Sequence, residues 1–347
     1  MTGLSGIRVW KIGGARGPRV GTLVGAHHDE GGTMTAQAHE ASDINELTLE
    51  GYTIRPLQQD DARAVFELMA ECELESTGEV AIEEADIVAD WQRPSFDLAT
   101  QSIGVFEGER LVGYAEVAGG RRADAAVAPD RRGRGIGSEL ARWTQRISRR
   151  DGNGLVGMPA PDGSPGERLM RDLGYEVAWT SWVLELPEGA QIEPQPIPEG
   201  YTIRVGDSDA DRHAAHEVVE DAFLEWSERE RETWEDFEAG VLRRPGFEPW
   251  NLRLMVDPEG VVVGVALVLL AGDDGYVDKL AVRRDRRGLG LARALLVDAF
   301  AVAREHGATR SELSTDSRTG ALGLYERVGM QVKAVWRHWA IDTSDQA

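Results

Sequence analysis

The stretch VDKLAVRRDRRGLGLA, Val277–Ala292, decides how this chain folds. Its apolar start, Val277–Val282, predicts a strand. Arg286, Arg287, Gly288, Leu289 and Gly290 then form a basic, glycine-rich turn, and Leu291–Arg304 reads as a long apolar helix. The first amides of a helix have no partner inside it, so a strand that feeds a glycine-rich turn at a helix start builds an anion site. Gly288 and Gly290 lack a Cβ, which lets a diphosphate approach the backbone.

Two familiar phosphate loops do not fit. A Walker loop needs Gly-Lys-Ser/Thr, but Leu291 and Ala292 follow the second glycine; the dinucleotide fingerprint needs G-x-G-x-x-G, and the turn reads G-L-G-L-A. Arg287–Gly288–Leu289–Gly290–Leu291–Ala292 instead resembles the R-G-x-G-x-G/A pyrophosphate loop of the GNAT superfamily of CoA-dependent N-acetyltransferases. A second copy stands at Arg132–Gly133–Arg134–Gly135–Ile136–Gly137.

The duplication extends further. Gly51–Arg55 and Gly200–Arg204 are the same pentapeptide, GYTIR, at an offset of 149 residues (201 − 52). The two loops, and the pair Leu173–Gly174–Tyr175 and Val328–Gly329–Met330, lie at an offset of 155 (287 − 132). Each half predicts a strand, an amphipathic helix (60–75 with Asp60 as N-cap; 208–226 with Ser208), and a second helix stopped by Pro94 or Pro245. A hairpin, the loop strand, the long helix and a closing strand–helix–strand follow. The expected architecture is α/β: two consecutive GNAT-like domains, each a mixed, mostly antiparallel twisted sheet flanked by helices. Residues 1–46 read as a flexible extension, 47–186 as the first domain, 187–199 (rich in proline) as a linker, and 200–347 as the second domain. Met34 offers an alternative start.

Composition narrows the function. The net charge is −22, which disfavours nucleic acid. No apolar run is long enough to span a bilayer. A lone cysteine, Cys72, excludes an internal disulfide and predicts a reducing, cytoplasmic setting. His213, His216, Glu217 and Glu220 share a helix but lack a further cluster, so no metal site is expected. The internal repeat makes a monomer acting as its own pseudo-dimer, or a homodimer, the expected assembly.

The resemblance implies acetyl-CoA as co-substrate and an amine as acceptor. It implies that Leu280, Ala281 and Val282 line the pantetheine arm in the second half, and Val127 in the first. Acetyl transfer to an amine needs one proton removed from the ammonium and one returned to the thiolate. Tyr325, in a segment that resembles the family's N-x-x-A-x-x-L-Y-x-x-x-G-F helix (with Arg318 at the asparagine), is the candidate acid. Asp278 and Glu312 are the candidate bases. Strand alternation places Asp278 on the same face as Leu280. At an offset of 155, Met170, Ala123 and Gly157 fill the slots of Tyr325, Asp278 and Glu312, so the first half is expected to hold CoA or brace its partner without catalysing. A non-catalytic acyl-CoA sensor and a protein N-terminus or lysine acetyltransferase are the alternatives.

Overall fold

The computed structural model describes Leu47, residues 49–194, 196–227 and 229–344. The extension expected over residues 1–46 lies outside them. In the first half, β1 (Thr53–Arg55) leads through a 3-10 turn into α1 (Ala62–Thr77) and α2 (Glu84–Trp91); α3 (Leu98–Gln101), β2 (Ser102–Glu107), β3 (Arg110–Ala118), β4 (Arg122–Val127), α4 (Ile136–Arg150), β5 (Leu155–Pro161), α5 (Pro165–Asp172) and β6 (Glu176–Glu185) follow. The second half repeats this with β7 (Thr202–Val205), α6 (Asp209–Phe223), α7 (Trp234–Phe237), β8 (Leu252–Val256), β9 (Val262–Ala271), β10 (Asp274–Val282), α8 (Leu291–Glu305), β11 (Arg310–Asp316), α9 (Leu322–Arg327) and β12 (Gln331–Asp342).

Local chemistry explains the boundaries. Ser208 caps α6 by accepting from the Asp211 amide, and Asp211 reciprocates, a capping box. The predicted cap Asp60 is corrected: Gln58 and Asp61 make that box around a 3-10 turn, and α1 begins two residues late. The single helix predicted after Thr233 is α7 followed by one π-helical turn, Glu238–Leu242. No strand or helix occurs between 187 and 199 among the described residues, and Ile192 and Ile197 of this segment pack on the second core.

The twelve strands of the described residues form one sheet in the order β1-β2-β3-β4-β5-β12-β6-β11-β10-β9-β8-β7. The last strands are exchanged. β6, from the first half, pairs antiparallel with β11 of the second (Glu185 opposite Glu312), and β12 pairs with β5 (Trp336 opposite Pro161) as well as with β6. Packing follows the exchange: Trp339 and Ile341 of β12 enter the first core, while Leu184 and Leu186 at the end of β6 enter the second. Each half therefore completes its core with the other's chain. Among the described residues, only β4–β5 and β10–β11 run parallel. Among the described residues no helix is long and apolar enough to cross a membrane.

Candidate active site

The two glycine loops occupy matching places, after β4 and after β10. Gly288 and Gly290 have φ of 78° and 80°, the left-handed region a side chain disfavours, and no atom stands within 4 Å of where a Cβ on Gly288 would lie. Gly290 is the N-cap of α8, whose first internal bond runs from Ala294 N–H to Gly290 C=O at 3.1 Å. The amides ahead of that bond are the ones an anion would take. Arg287 donates from Nε to the Val282 carbonyl at 3.1 Å and from both terminal nitrogens to Glu225 at 2.8 Å, which ties the loop to the end of β10. Gly133 (73°) and Gly135 (84°) repeat the geometry in the first half, where Arg132 pairs with Glu75. Both loops thus fit a diphosphate.

Each loop opens on a cleft. The second cleft has a volume of about 790 Å³, and its walls include Asp278, Leu280, Ala281, Val282, Arg286, Arg287, Gly288, Gly290, Leu291, Ala292 and Tyr325. It runs between β10 and β11, which pair from Asp274–Arg310 to Val277–Leu313 and then diverge. The structure therefore brings together the loop, the β10 edge, the candidate acid and one candidate base. Leu289 at the loop tip is exposed. Tyr325 is buried, and the loss of water around its hydroxyl pushes its pKa up to about 12, so it stays protonated at neutral pH.

Asp278 reaches this site by a route that strand alternation does not predict. The pairing of β10 with β9 shifts between Val277 and Lys279, so Asp278 is the extra residue of a β-bulge. Val277, Leu280 and Val282 face the α8 core, whereas Ala281 faces the α6 core and Lys279 lies over the Phe223 ring of α6 at 5.9 Å. Asp278 sits on the side of Lys279, 3.5 Å from its ammonium, opposite Leu280; the same-face expectation is corrected. The bulge also corrects the slot comparison. β4 pairs with β3 without a shift, Ala123 opposite Val117 and Asp124 opposite Glu116. Ala123 therefore matches Val277, Asp124 matches Lys279, and Asp278 has no counterpart. Asp124 is buried beside Arg122 (3.4 Å), with its pKa pushed well up by desolvation.

Glu312 is placed elsewhere. On β11 the cleft is walled by Leu313, Ser314 and Thr315. The Glu312 carboxylate is fully buried against Lys333, 2.7 Å away, which also pairs with Glu79 of the first half at 2.7 Å. Burial pushes the Glu312 carboxyl up to about 7.

The first cleft, about 360 Å³, is walled by Val127, Arg132, Gly133, Gly135, Ile136, Gly137, Met170 and Cys72, and Trp336 enters it from the exchanged strand β12. Arg134 of this loop is exposed. Met170 holds the place Tyr325 holds in the other half. Met158, Pro159, Ala160 and Pro161 form its β5 wall, and two prolines there remove main-chain donors. His216 is buried with a ring nitrogen 2.9 Å from the Glu232 carbonyl, and among the described residues no cluster of three or more His, Cys, Asp or Glu groups is arranged to hold a metal.

Comparison with known proteins agrees with this duplicated geometry. The acetyltransferase (GNAT) family model matches twice, over residues 62–175 and 213–330. The mycothiol acetyltransferase of Salinispora arenicola is 33% identical over 233 residues, covering 63% of this chain and 74% of its own length. Among solved structures, a GCN5-related N-acetyltransferase from Sphaerobacter thermophilus superposes with a TM-score of 0.66 at 28% identity, covering 85% of this chain and 97% of its own. A tandem GNAT protein from the clavulanic acid biosynthesis pathway shares the fold, with a TM-score of 0.65 at 16% identity over 85% of this chain and all of its own. With two glycine loops, two clefts and two family matches in register, the chain belongs to the GNAT family and is a tandem N-acetyltransferase that uses acetyl-CoA.

Proposed function

We propose that the second half, residues 200–347, transfers acetyl from acetyl-CoA directly to the primary amine of a small molecule. In this reading the first half, residues 47–186, carries the same loop geometry without proton chemistry. The observation that supports it most is that Asp278 and Tyr325 wall the same cleft as the glycine loop, while the first cleft has a thioether at the tyrosine position and no bulge residue at all.

The roles follow from charge and protonation. The loop amides and Arg286 bind the diphosphate, and the β10 edge past the bulge pairs with the pantetheine arm like an added strand. A main-chain N–H there polarises the thioester carbonyl. Asp278 takes the ammonium proton, directly or through one water. Tyr325, protonated at working pH, gives a proton to the departing thiolate. The chain's one cysteine, Cys72, lies in the first half, so direct attack in a ternary complex needs no acyl-cysteine step. Glu312, held by Lys333, is left to a structural role.

The curated relatives named mycothiol acetyltransferase supply the first acceptor to try, the cysteinyl pseudodisaccharide of mycothiol synthesis. The test is thiol release from acetyl-CoA with that compound and a panel of other small amines, peptide N-termini and lysines. Amine-dependent release, lost in Asp278→Asn, is the expected result. Transfer confined to peptides would replace the small-molecule acceptor with a protein one.

A further inference from the structure

The second cleft is walled by an indole that the first half helps to hold. Trp226 lies just past the end of α6. It walls the cleft together with Asp278 and with Phe223, whose ring centre is 5.4 Å from its own. The Arg318 guanidinium stands against Trp226, 5.1 Å from the ring centre, and over Trp179 of β6 at 3.9 Å. Trp179 in turn stacks on His338, its register partner on β12, with ring centres 4.7 Å apart. Four planar groups in succession thus link the exchanged strands to the cleft wall.

Arg318 is fixed by its neighbours. Its backbone amide donates to Asp316 Oδ1 at 2.8 Å, and its Nε and Nη2 donate to Oδ2 at 3.2 and 2.6 Å; the Asp316 carboxylate is fully buried. The turn that carries it is bonded to β6, the Ser317 amide donating to the Thr180 carbonyl at 2.9 Å. Desolvation, with Arg318 and Arg122 nearby, holds the His338 imidazole down at about 3, so it meets Trp179 as an uncharged ring. The first half has no such chain. At the offset of 155 (318 − 163), Asp316 and Arg318 fall on Pro161 and Gly163, and Trp179 falls on Ala334.

Charge narrows what can lie on that indole. Among the described residues that wall the cleft, Asp278 is the one acid, against Arg286, Arg287, Arg293 and Arg327. An acceptor with one ammonium finds its partner in Asp278; a second positive charge finds no further carboxylate on the wall. Beside the ammonium the wall offers ring faces, on which a flat apolar body packs. We infer that Trp226 is the specificity-determining platform for a ring-borne monoamine, and that Arg318 and the first half's Trp179 are positioning residues that hold it. This rests on the reading that the second half acetylates a small amine. The first half then serves the reaction by completing the acceptor wall.

The test uses the full chain with 2-phenylethylamine, glucosamine, n-butylamine and putrescine, by thiol release from acetyl-CoA and by calorimetry on the CoA-loaded protein. At least one ring-borne amine should exceed both linear ones about tenfold in kcat/KM, and which one leads distinguishes an aryl from a pyranose body. Trp226→Ala should raise the KM of that amine about tenfold, with kcat and the KM of acetyl-CoA within about twofold, and Trp226→Phe should recover part of the loss. Trp179→Ala should raise the same KM about threefold, and Arg318→Lys should lose less than Arg318→Met. Trp179→Ala combined with Trp226→Ala should be no worse than Trp226→Ala alone, because Trp179 acts only through the indole. Arg244→Met, which cuts a buried ion pair to Asp86 elsewhere between the halves, should lower the melting temperature without moving any KM. If Trp179→Ala does not fold, Arg318→Met takes its place in the double variant. Additive losses, or a linear amine used as well as the ring-borne ones, overturn the inference. Ring-borne amines that bind in a Trp226-dependent way yet release no thiol would refute acetyl transfer and uphold the platform.

Discussion

The first cleft and the second share a loop and part company a few ångströms beyond it. Both have a glycine pair in the left-handed region and an arginine braced by a glutamate, Arg132 with Glu75 and Arg287 with Glu225. At the reacting end, one has Met170 in a volume of about 360 Å³, and the other has Tyr325 and a bulged Asp278 in about 790 Å³. Anion binding here is a property of backbone shape, which two glycines preserve. In the proposed reading, proton handling depends on one inserted residue and one side chain, which the first half lacks although its loop keeps the same shape.

The sharpest way to break this contrast is Asp278→Asn. It should cut kcat by about a thousandfold if the carboxylate is the base. Ala123→Gly, in the buried β4 strand of the first half, should leave kcat within about twofold, since Ala123 walls no part of the second cleft and the change costs stability there instead. Stopped-flow thiol release measures both. Tyr325→Phe should cost about a hundredfold, with the loss growing as pH rises and the solvent has fewer protons to offer the departing thiolate in its place; Met170→Leu, in the equivalent slot, should leave the pH–rate profile unchanged. Gly290→Val forces a side chain into φ near 80° at a strain of about 1–2 kcal/mol, so CoA should bind about tenfold more weakly by calorimetry. Gly135→Val sharpens the comparison: if it removes a second calorimetric site without touching turnover, the first cleft also holds CoA.

The smallest expected effect concerns Glu312, whose slot in the first half is Gly157. Burial raises its carboxyl from 4.5 to about 7, so the folded chain holds that proton more tightly than the unfolded one. Its contribution to stability is then full below about 4.5 and declines as pH rises to about 7. The melting temperature of the wild-type chain relative to Glu312→Gln should fall across that window, by a few degrees in differential scanning calorimetry. A flat difference would mean that Lys333 keeps Glu312 ionised throughout.

Much of this was legible in the residues. The repeated GYTIR, the two loops and the turn glycines fix two α/β halves, because glycine at a helix start has a backbone reason. Tyr325 and Met170 fall where their shared offset puts them. The bulge was not legible: one extra residue in VDKLAV leaves the hydrophobic pattern intact, yet it moves Asp278 to the other face and removes its counterpart from the alignment of the halves. Lys333 beside Glu312 was also hidden, since strand contacts come from register rather than spacing. Arg93, which donates to Glu232 of the second half, was missed, although the Arg-Pro pair repeated at Arg244–Pro245 carried a signal.

The exchanged end strands set a timetable for the molecule's birth. As the chain leaves the ribosome, the first half emerges with the edge of β5 uncovered and its core short of Trp339 and Ile341. Both residues belong to β12, which is synthesised after the whole of the first half. Long-range pairing of this kind is slow, and an open strand edge invites the wrong neighbour. Fragments cut at the linker should therefore behave as sticky, half-finished pieces that recover only when mixed, and a truncation within β12 would injure the half synthesised first.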